Sequence, residues 1–76
     1  MEKREKIALR LRVKRNSLKM TTSKVSELSG LTRSAISNYE NAIRIPSYEI
    51  LEKLATIYDC NPAYFVGWDS IKTKHN

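Results

Sequence analysis

Apolar residues recur at intervals of three and four along most of this chain, which is the period of amphipathic helices. This spacing predicts a first helix over residues 3–18, with one face formed by Ile7, Leu11, Lys14 and Leu18. We expect the outer side of that helix to be basic, because three arginines lie beside the apolar face: Arg10, Arg12 and Arg15.

A second and shorter helix is expected to end near residue 29. Either Thr21 or Thr22 can cap its start, because a threonine hydroxyl accepts a hydrogen bond from a free amide of the first turn. Val25 and Leu28 are expected to face inward. Gly30 then supplies a residue that tolerates the positive φ common after a helix.

A third helix is expected over residues 32–41, with Thr32 as its cap. Its inner side has the i, i+1, i+4 spacing of a packed face and consists of Ala35, Ile36 and Tyr39. This leaves a polar strip facing outward, formed by Arg33, Ser34, Ser37 and Asn38.

Two further helices complete the predicted all-α fold of five helices. Pro46 ends any preceding helix and Ser47 caps a fourth one. Its buried face is expected to contain Ile50, Leu51, Leu54, Ala55 and Tyr58. Asn61 and Pro62 begin a short fifth helix that reaches about residue 66, with Phe65 as its main core residue. We expect one domain over residues 1–68 and a polar, disordered tail over residues 69–76.

Length and cysteine content limit how such a chain is stabilised. Seventy-six residues bury only a small core, so helix packing and dimerisation are expected to supply the additional stability. Cys60 is the only cysteine and forms no internal disulfide, and no Cys/His set has the spacing of a zinc site. We therefore expect no metal, no cofactor and a reducing, cytoplasmic setting.

No segment is expected to enter a membrane. The charged N-terminus lacks the apolar core of a secretory signal, and no apolar run approaches the roughly 20 residues that span a bilayer. A basic first helix could instead lie on an anionic membrane, but its apolar stripe is needed inside the fold.

Charge is distributed unevenly along the chain. Residues 1–44 contain eleven lysines and arginines against four acids, whereas residues 45–76 contain three against four. A basic half suits a polyanion, because neutralising phosphates releases condensed counterions. The alternative interpretation is a solvated surface that keeps the protein in solution.

Two short helices joined by a glycine turn, the second with a polar outer strip, form an arrangement that fits the major groove of DNA. The segment 21–47, TTSKVSELSGLTRSAISNYENAIRIPS, resembles the lambda-repressor-like helix-turn-helix family of phage and bacterial regulators. The resemblance extends to the later segment NPAYF at residues 61–65. It implies a compact five-helix domain that binds operators as a dimer.

The resemblance also implies roles for individual residues. The positions that read bases are Arg33, Ser34, Ser37 and Asn38. The positions that touch the sugar-phosphate backbone are Thr22, Thr32, Asn41 and Arg44. Alternatively Arg33 contacts a phosphate or remains solvated, and Thr32 acts only as a helix cap. Arg15 and Glu40 match a pair that often forms a salt bridge between the first and third helices.

The chain departs from the family pattern at several positions. Thr22 replaces a common glutamine, which shortens one expected contact, and Ile43 replaces a residue that is usually basic. Lys19 and Ala42 occupy positions often held by glycine. A left-handed backbone at either residue costs roughly 1 kcal/mol or more, so we expect the local turns to differ from the family's.

Several other residues invite functional interpretations. His75 lies alone in the tail and supports neither a metal site nor a nucleophile. Cys60 is expected to be a small apolar core residue, with a redox-sensing thiol as the alternative. A two-fold dimer contact is a candidate role for Tyr64, Val66 and Trp68, which otherwise cover the small core.

These observations favour a non-enzymatic transcription regulator, a repressor that binds a palindromic operator in double-stranded DNA as a homodimer. Two alternatives remain. One is an antitoxin that represses its own operon and binds a toxin as protein partner. The other is a protein-interaction module that kept the fold and lost DNA binding.

Overall fold

The computed structural model describes residues 2–67, and within them the chain forms five α-helices and no β-strand. The helices are α1 (Lys3–Ser17), α2 (Thr22–Ser29), α3 (Arg33–Glu40), α4 (Tyr48–Ile57) and α5 (Ala63–Val66). This confirms the all-α fold predicted from the sequence. Trp68 and the predicted tail lie outside the described residues. No helix within residues 2–67 has the length and hydropathy needed to cross a bilayer.

Three of the helices begin at hydroxyl caps. Side-chain oxygens of Thr21, Thr32 and Ser47 accept hydrogen bonds from backbone amides three residues later, at 3.0, 3.0 and 3.2 Å. Each bond satisfies one amide that has no partner inside the helix, which fixes where the helix starts. Of the two threonines considered for α2, Thr21 is therefore the cap and Thr22 is the first helical residue.

The core is a single cluster that draws on all five helices. α1 packs against α3 and α5, and α2 packs against α3 and α4. The buried cluster consists of Ile7, Leu11, Val25, Ile36, Tyr39, Leu51, Leu54, Ala55, Tyr58 and Phe65. All ten of these residues were predicted from the sequence to face the core.

Some apolar residues predicted to face inward are not fully buried. Leu28 is 49% exposed and Leu18 is 41% exposed, and Ala35 and Ile50 are half-buried. Leu18 follows the last residue of α1, so it no longer shares the helical period. Leu28 lies in the last turn of α2, where Ser29 takes the buried position instead. The prediction for Leu28 and Leu18 was therefore wrong.

The turns at Lys19 and Ala42 keep a left-handed backbone, with φ of 59° and 61°. The expectation that these turns would deviate because glycine is missing was therefore wrong. Asp59 after α4 adopts a φ of 55° as well, and the sequence did not indicate this. Side chains at these positions retain a steric strain that glycine would remove.

Candidate nucleic-acid interface

The turn between α2 and α3 is fixed by a small network around Gly30. Gly30 has a φ of 78°, the left-handed conformation that glycine adopts without strain. The Ser26 hydroxyl donates to the Leu31 carbonyl, and the Leu31 amide donates to the Ser29 hydroxyl at 3.1 Å. Lys53 on α4 donates to the Ser29 carbonyl at 3.2 Å. These bonds set the angle at which α3 leaves the turn.

The third helix presents its predicted polar strip to solvent. Its inner face is anchored by Ile36 and Tyr39, which are both buried in the core. On the opposite side Arg33, Ser34 and Ser37 are exposed, and Asn38 is half-buried. We call the four residues Arg33, Ser34, Ser37 and Asn38 the outer strip. A helix with this free polar side matches the width of the major groove, about 12 Å.

Two of the predicted DNA-contacting residues are bonded to each other. The Asn41 amide nitrogen, Nδ2, donates to the Ser37 carbonyl at 2.8 Å and to the Ser37 hydroxyl at 3.1 Å. The Ser37 hydroxyl oxygen accepts this one hydrogen bond and keeps its proton and a second lone pair for an outside group. Asn41 therefore holds the Ser37 side chain in place.

Arg33 lies across the start of the second helix. Its Nη1 donates to the Ser23 hydroxyl over 3.4 Å, and both side chains are exposed. A hydrogen bond this long is weak, so a stronger acceptor can displace it at little cost. The Arg33 guanidinium is therefore only weakly held beside α2.

The residues predicted to touch the DNA backbone surround the outer strip. Thr22 is half-buried in the first turn of α2, while Thr32 is exposed at the start of α3. The loop after α3 is folded back by the Asn38 carbonyl, which accepts from the amides of Ile43 and Arg44 at 2.9 and 3.2 Å. Arg44 is exposed in this loop. The loop and both helix starts thus contribute polar groups to one region of the fold.

Arg15 and Glu40 are in direct contact between α1 and α3. Arg15 Nε lies 2.7 Å from Glu40 Oε2, and Arg15 Nη2 lies 2.9 Å from Glu40 Oε1. The third donor of Arg15, Nη1, bonds to the Met20 carbonyl at 2.8 Å. This contact with Glu40 raises the pKa of Arg15 further above its usual value. The pair joins α1, the segment before α2 and the end of α3.

The basic outer side predicted for α1 is partly used within the fold, because Arg12 is exposed and Arg10 and Arg15 are half-buried, and all three form hydrogen bonds to other elements. Arg12 donates to the Glu40 carbonyl at 3.2 Å, and Arg10 donates to the Tyr64 carbonyl at 2.7 Å. With Arg15, three arginines of α1 therefore tie this helix to α3 and α5. The guanidinium is suited to this task because it offers several donors in a planar fork.

The dimer candidates lie at the end of the described chain. The ring of half-buried Tyr64 packs beneath two basic side chains of α1. The guanidinium carbon of Arg10 lies 4.8 Å from the ring centroid, and Lys14 Nζ lies 5.7 Å from it. Val66 is half-buried beside an open cleft of about 650 Å³ between α1, the α3–α4 loop and α5. Trp68 lies outside the described residues. Tyr64 is therefore already engaged by α1 within one chain.

Cys60 is half-buried after α4, and burial raises the pKa of its thiol. A thiol that stays protonated near neutral pH reacts slowly with oxidants. This disfavours the redox-sensing alternative. His75, the other isolated reactive residue, lies outside the described residues.

Two supporting residues were not named in the sequence analysis, and the role of a third was not predicted. Ser23 accepts from Arg33 and Lys53 holds the end of α2, while Arg12, expected only as part of a basic face, bonds to the end of α3. Each acts across helices, so its role depends on side-chain reach that a linear pattern does not encode.

Comparisons with known proteins agree with this geometry. A family model described as helix-turn-helix matches residues 11–65, from the second half of α1 to Phe65 in α5. Searches of curated proteins and of solved structures found no match. The chain therefore belongs to the helix-turn-helix family of the lambda-repressor and Cro type, a family of DNA-binding transcription regulators.

Proposed function

We propose that the protein is a repressor that binds a palindromic operator as a homodimer, with one recognition helix, α3, in each of two successive major grooves. The observation that carries this proposal is the exposure of the outer strip on a helix whose opposite face is locked into the core. Occupying the operator would exclude polymerase from an overlapping promoter.

Base reading is assigned to the outer strip. The Arg33 guanidinium can pair bidentately with O6 and N7 of guanine, and the Asn38 amide suits adenine. The Ser37 hydroxyl, held by Asn41, can donate to a base acceptor such as N7 or the O4 of thymine, or accept from a base amino group through its second lone pair. The Ser34 hydroxyl can donate or accept a hydrogen bond, so it can pair with either kind of base edge.

Backbone contacts are assigned to Thr22, Thr32, Asn41 and Arg44. The Thr32 oxygen accepts from the Ala35 amide, so the hydroxyl proton remains available for a phosphate oxygen. Arg44 contributes a full charge from the loop after α3. These contacts set the register of the protein on the duplex without encoding sequence.

Dimerisation is assigned to the end of the chain that holds Tyr64, Val66 and Trp68. A two-fold dimer places two copies of α3 about 34 Å apart, which is one turn of duplex. A domain of this size also gains stability from association. The operator is then expected to be a palindrome whose half-sites repeat after about 10 base pairs.

Selection of binding sites from a random duplex pool tests this proposal. The expected product is a palindrome that binds two chains, as measured by sedimentation of the complex. Footprinting should protect two major grooves on one side of the duplex. Recovery of no enriched sequence, or of a single half-site bound by one chain, would contradict the repressor dimer.

A further inference from the structure

Leu28, the residue predicted to be buried, opens onto a groove that the proposed function does not use. The groove runs between α2 and α4 and has a volume of about 1040 Å³. Its walls include Leu28, Glu49, Ile50, Glu52, Lys53, Thr56 and Ile57. We call this the α2–α4 groove. No residue of α3 lines it, so an occupant would not compete with DNA for the outer strip.

Three aliphatic side chains form the apolar part of the floor of the α2–α4 groove. Leu28 is about half exposed, and Ile50 and Ile57 are half-buried on one face of α4 at a spacing of seven residues. Two helical turns separate such positions, roughly 10 Å along the axis. A single exposed leucine is ordinary, but three aliphatic side chains that line one groove offer an occupant several apolar contacts.

The rim of the groove is acidic, although the chain carries a net charge of +6. Glu49 and Glu52 are both exposed, and neither side chain has a hydrogen-bond or ion-pair partner within residues 2–67. Lys53, the one cation in the wall, is turned to the end of α2, where it donates to the Ser29 carbonyl. Two carboxylates are thus left to face an occupant.

We propose that the α2–α4 groove binds a basic amphipathic helix of a partner protein. Aliphatic side chains spaced by three, four or seven residues would pack on Leu28, Ile50 and Ile57. Lysine or arginine side chains beside that stripe would pair with Glu49 and Glu52. The charge of the rim disfavours nucleic acid and disfavours a second copy of this acidic surface. The inference is independent of the operator that α3 binds.

A peptide titration tests the proposal with the full chain. The probe is a synthetic helical peptide of three to four turns, with leucines at i, i+3 and i+7 and lysines flanking them. A second peptide carries glutamate in place of each lysine. We expect the lysine peptide to shift the amide resonances of Leu28, Thr56 and Ile57, and the glutamate peptide to bind at least tenfold more weakly.

Two variants locate the binding. Leu28→Ser removes part of an exposed floor and is expected to raise the Kd about fivefold without unfolding the chain. Neutralising the rim with Glu49→Gln and Glu52→Gln together is expected to raise the Kd three- to tenfold and to flatten its salt dependence. Its matched control, Glu2→Gln with Glu5→Gln at the start of α1, should leave the Kd unchanged.

Three results would overturn the proposal. The first is absence of shifts at groove residues at 1 mM of lysine peptide, or shifts confined to another surface. The second is equal affinity for the lysine and glutamate peptides. The third is a concentration-dependent shift of Leu28 and Ile57 without peptide, because that would assign the groove to a second copy of this chain.

Discussion

The Arg15 guanidinium and the Glu40 carboxylate meet through two parallel hydrogen bonds, of 2.7 and 2.9 Å, between α1 and the end of α3. The exposed fractions of these side chains are 14% and 6%, so the pair is largely shielded from water. A shielded pair contributes uncertain net stability, but removing one partner strands the other charge. The contact therefore fixes the orientation of α3 relative to α1.

Glu40→Gln is expected to lower the free energy of unfolding by about 3 kcal/mol, because it leaves the Arg15 charge without its counterion. Operator affinity should fall too, since the end of α3 loses its anchor. Thermal unfolding and a DNA titration measure both effects. The matched control is Lys24→Met, which breaks the exposed Lys24–Glu27 pair and should cost at most about 0.5 kcal/mol. Unchanged melting and affinity in Glu40→Gln would refute the positioning role.

Because Lys19 and Ala42 adopt a left-handed backbone, replacing either residue by glycine is expected to stabilise the fold. Lys19→Gly or Ala42→Gly relieves the contact between Cβ and the backbone, while the unfolded chain gains some freedom. We expect a net gain of about 0.5–1 kcal/mol for each, measured by urea unfolding. Glu52→Gly, at an exposed helical position on α4, is the control and should lose about 1 kcal/mol. A lower free energy of unfolding in Lys19→Gly and Ala42→Gly would show that these two residues are not strained.

The phenol of Tyr58 is expected to make the fold less stable at alkaline pH. Burial, and secondarily the charge of Glu40, raise the pKa of Tyr58 to about 12. The unfolded chain releases this proton near pH 10, so the folded state binds more protons between the two values. Stability from this group is complete below about pH 10 and falls by about 1.4 kcal/mol per pH unit up to about 12.

Urea unfolding from pH 9 to 11.5 measures that slope. Tyr58→Phe should remove it, whereas the control Tyr48→Phe, at an exposed ring, should keep it. A slope that survives in Tyr58→Phe would assign the alkaline loss to another group.

A basic residue in place of Ile43 is expected to restore one phosphate contact. It is 62% exposed in the loop after α3, next to Arg44, where the family usually has a basic residue. Ile43→Lys is expected to strengthen binding to random DNA and to steepen the dependence of log K on log salt by about 0.9. Thr56→Lys adds the same charge in the α2–α4 groove and should leave the slope unchanged. Equal slopes for both variants would contradict the placement of this loop beside DNA.

The sequence predicted the helices because local signals and the apolar period agree. Thr32 and Ser47 cap the starts of helices and Gly30 ends one, and each of these signals acts within one helical turn. The period also identified the buried side of α3, which is why the outer strip could be named in advance. Helix starts depend on few neighbours, so they are visible in the chain itself.

The remaining features depend on contacts between helices. The period gave no reason for Leu28 to be exposed, since that depends on how far α4 covers the end of α2. Nor did the charge count reveal that Arg10 and Arg12 are used inside the fold. Long side chains reach partners that are distant in sequence, and their partners become apparent only when the helices are packed.

Base reading by the outer strip is tested most directly by the DNA specificity of Arg33→Ala. The affinity of this variant for the selected operator and for random duplex DNA should be titrated at one fixed salt concentration, with Arg4→Ala on α1 as a control of equal charge. We expect Arg33→Ala to lose roughly 1–3 kcal/mol more binding free energy on the operator than on random DNA, whereas Arg4→Ala shows no such difference. Equal losses on both duplexes would make Arg33 a phosphate contact and would contradict base reading by the outer strip.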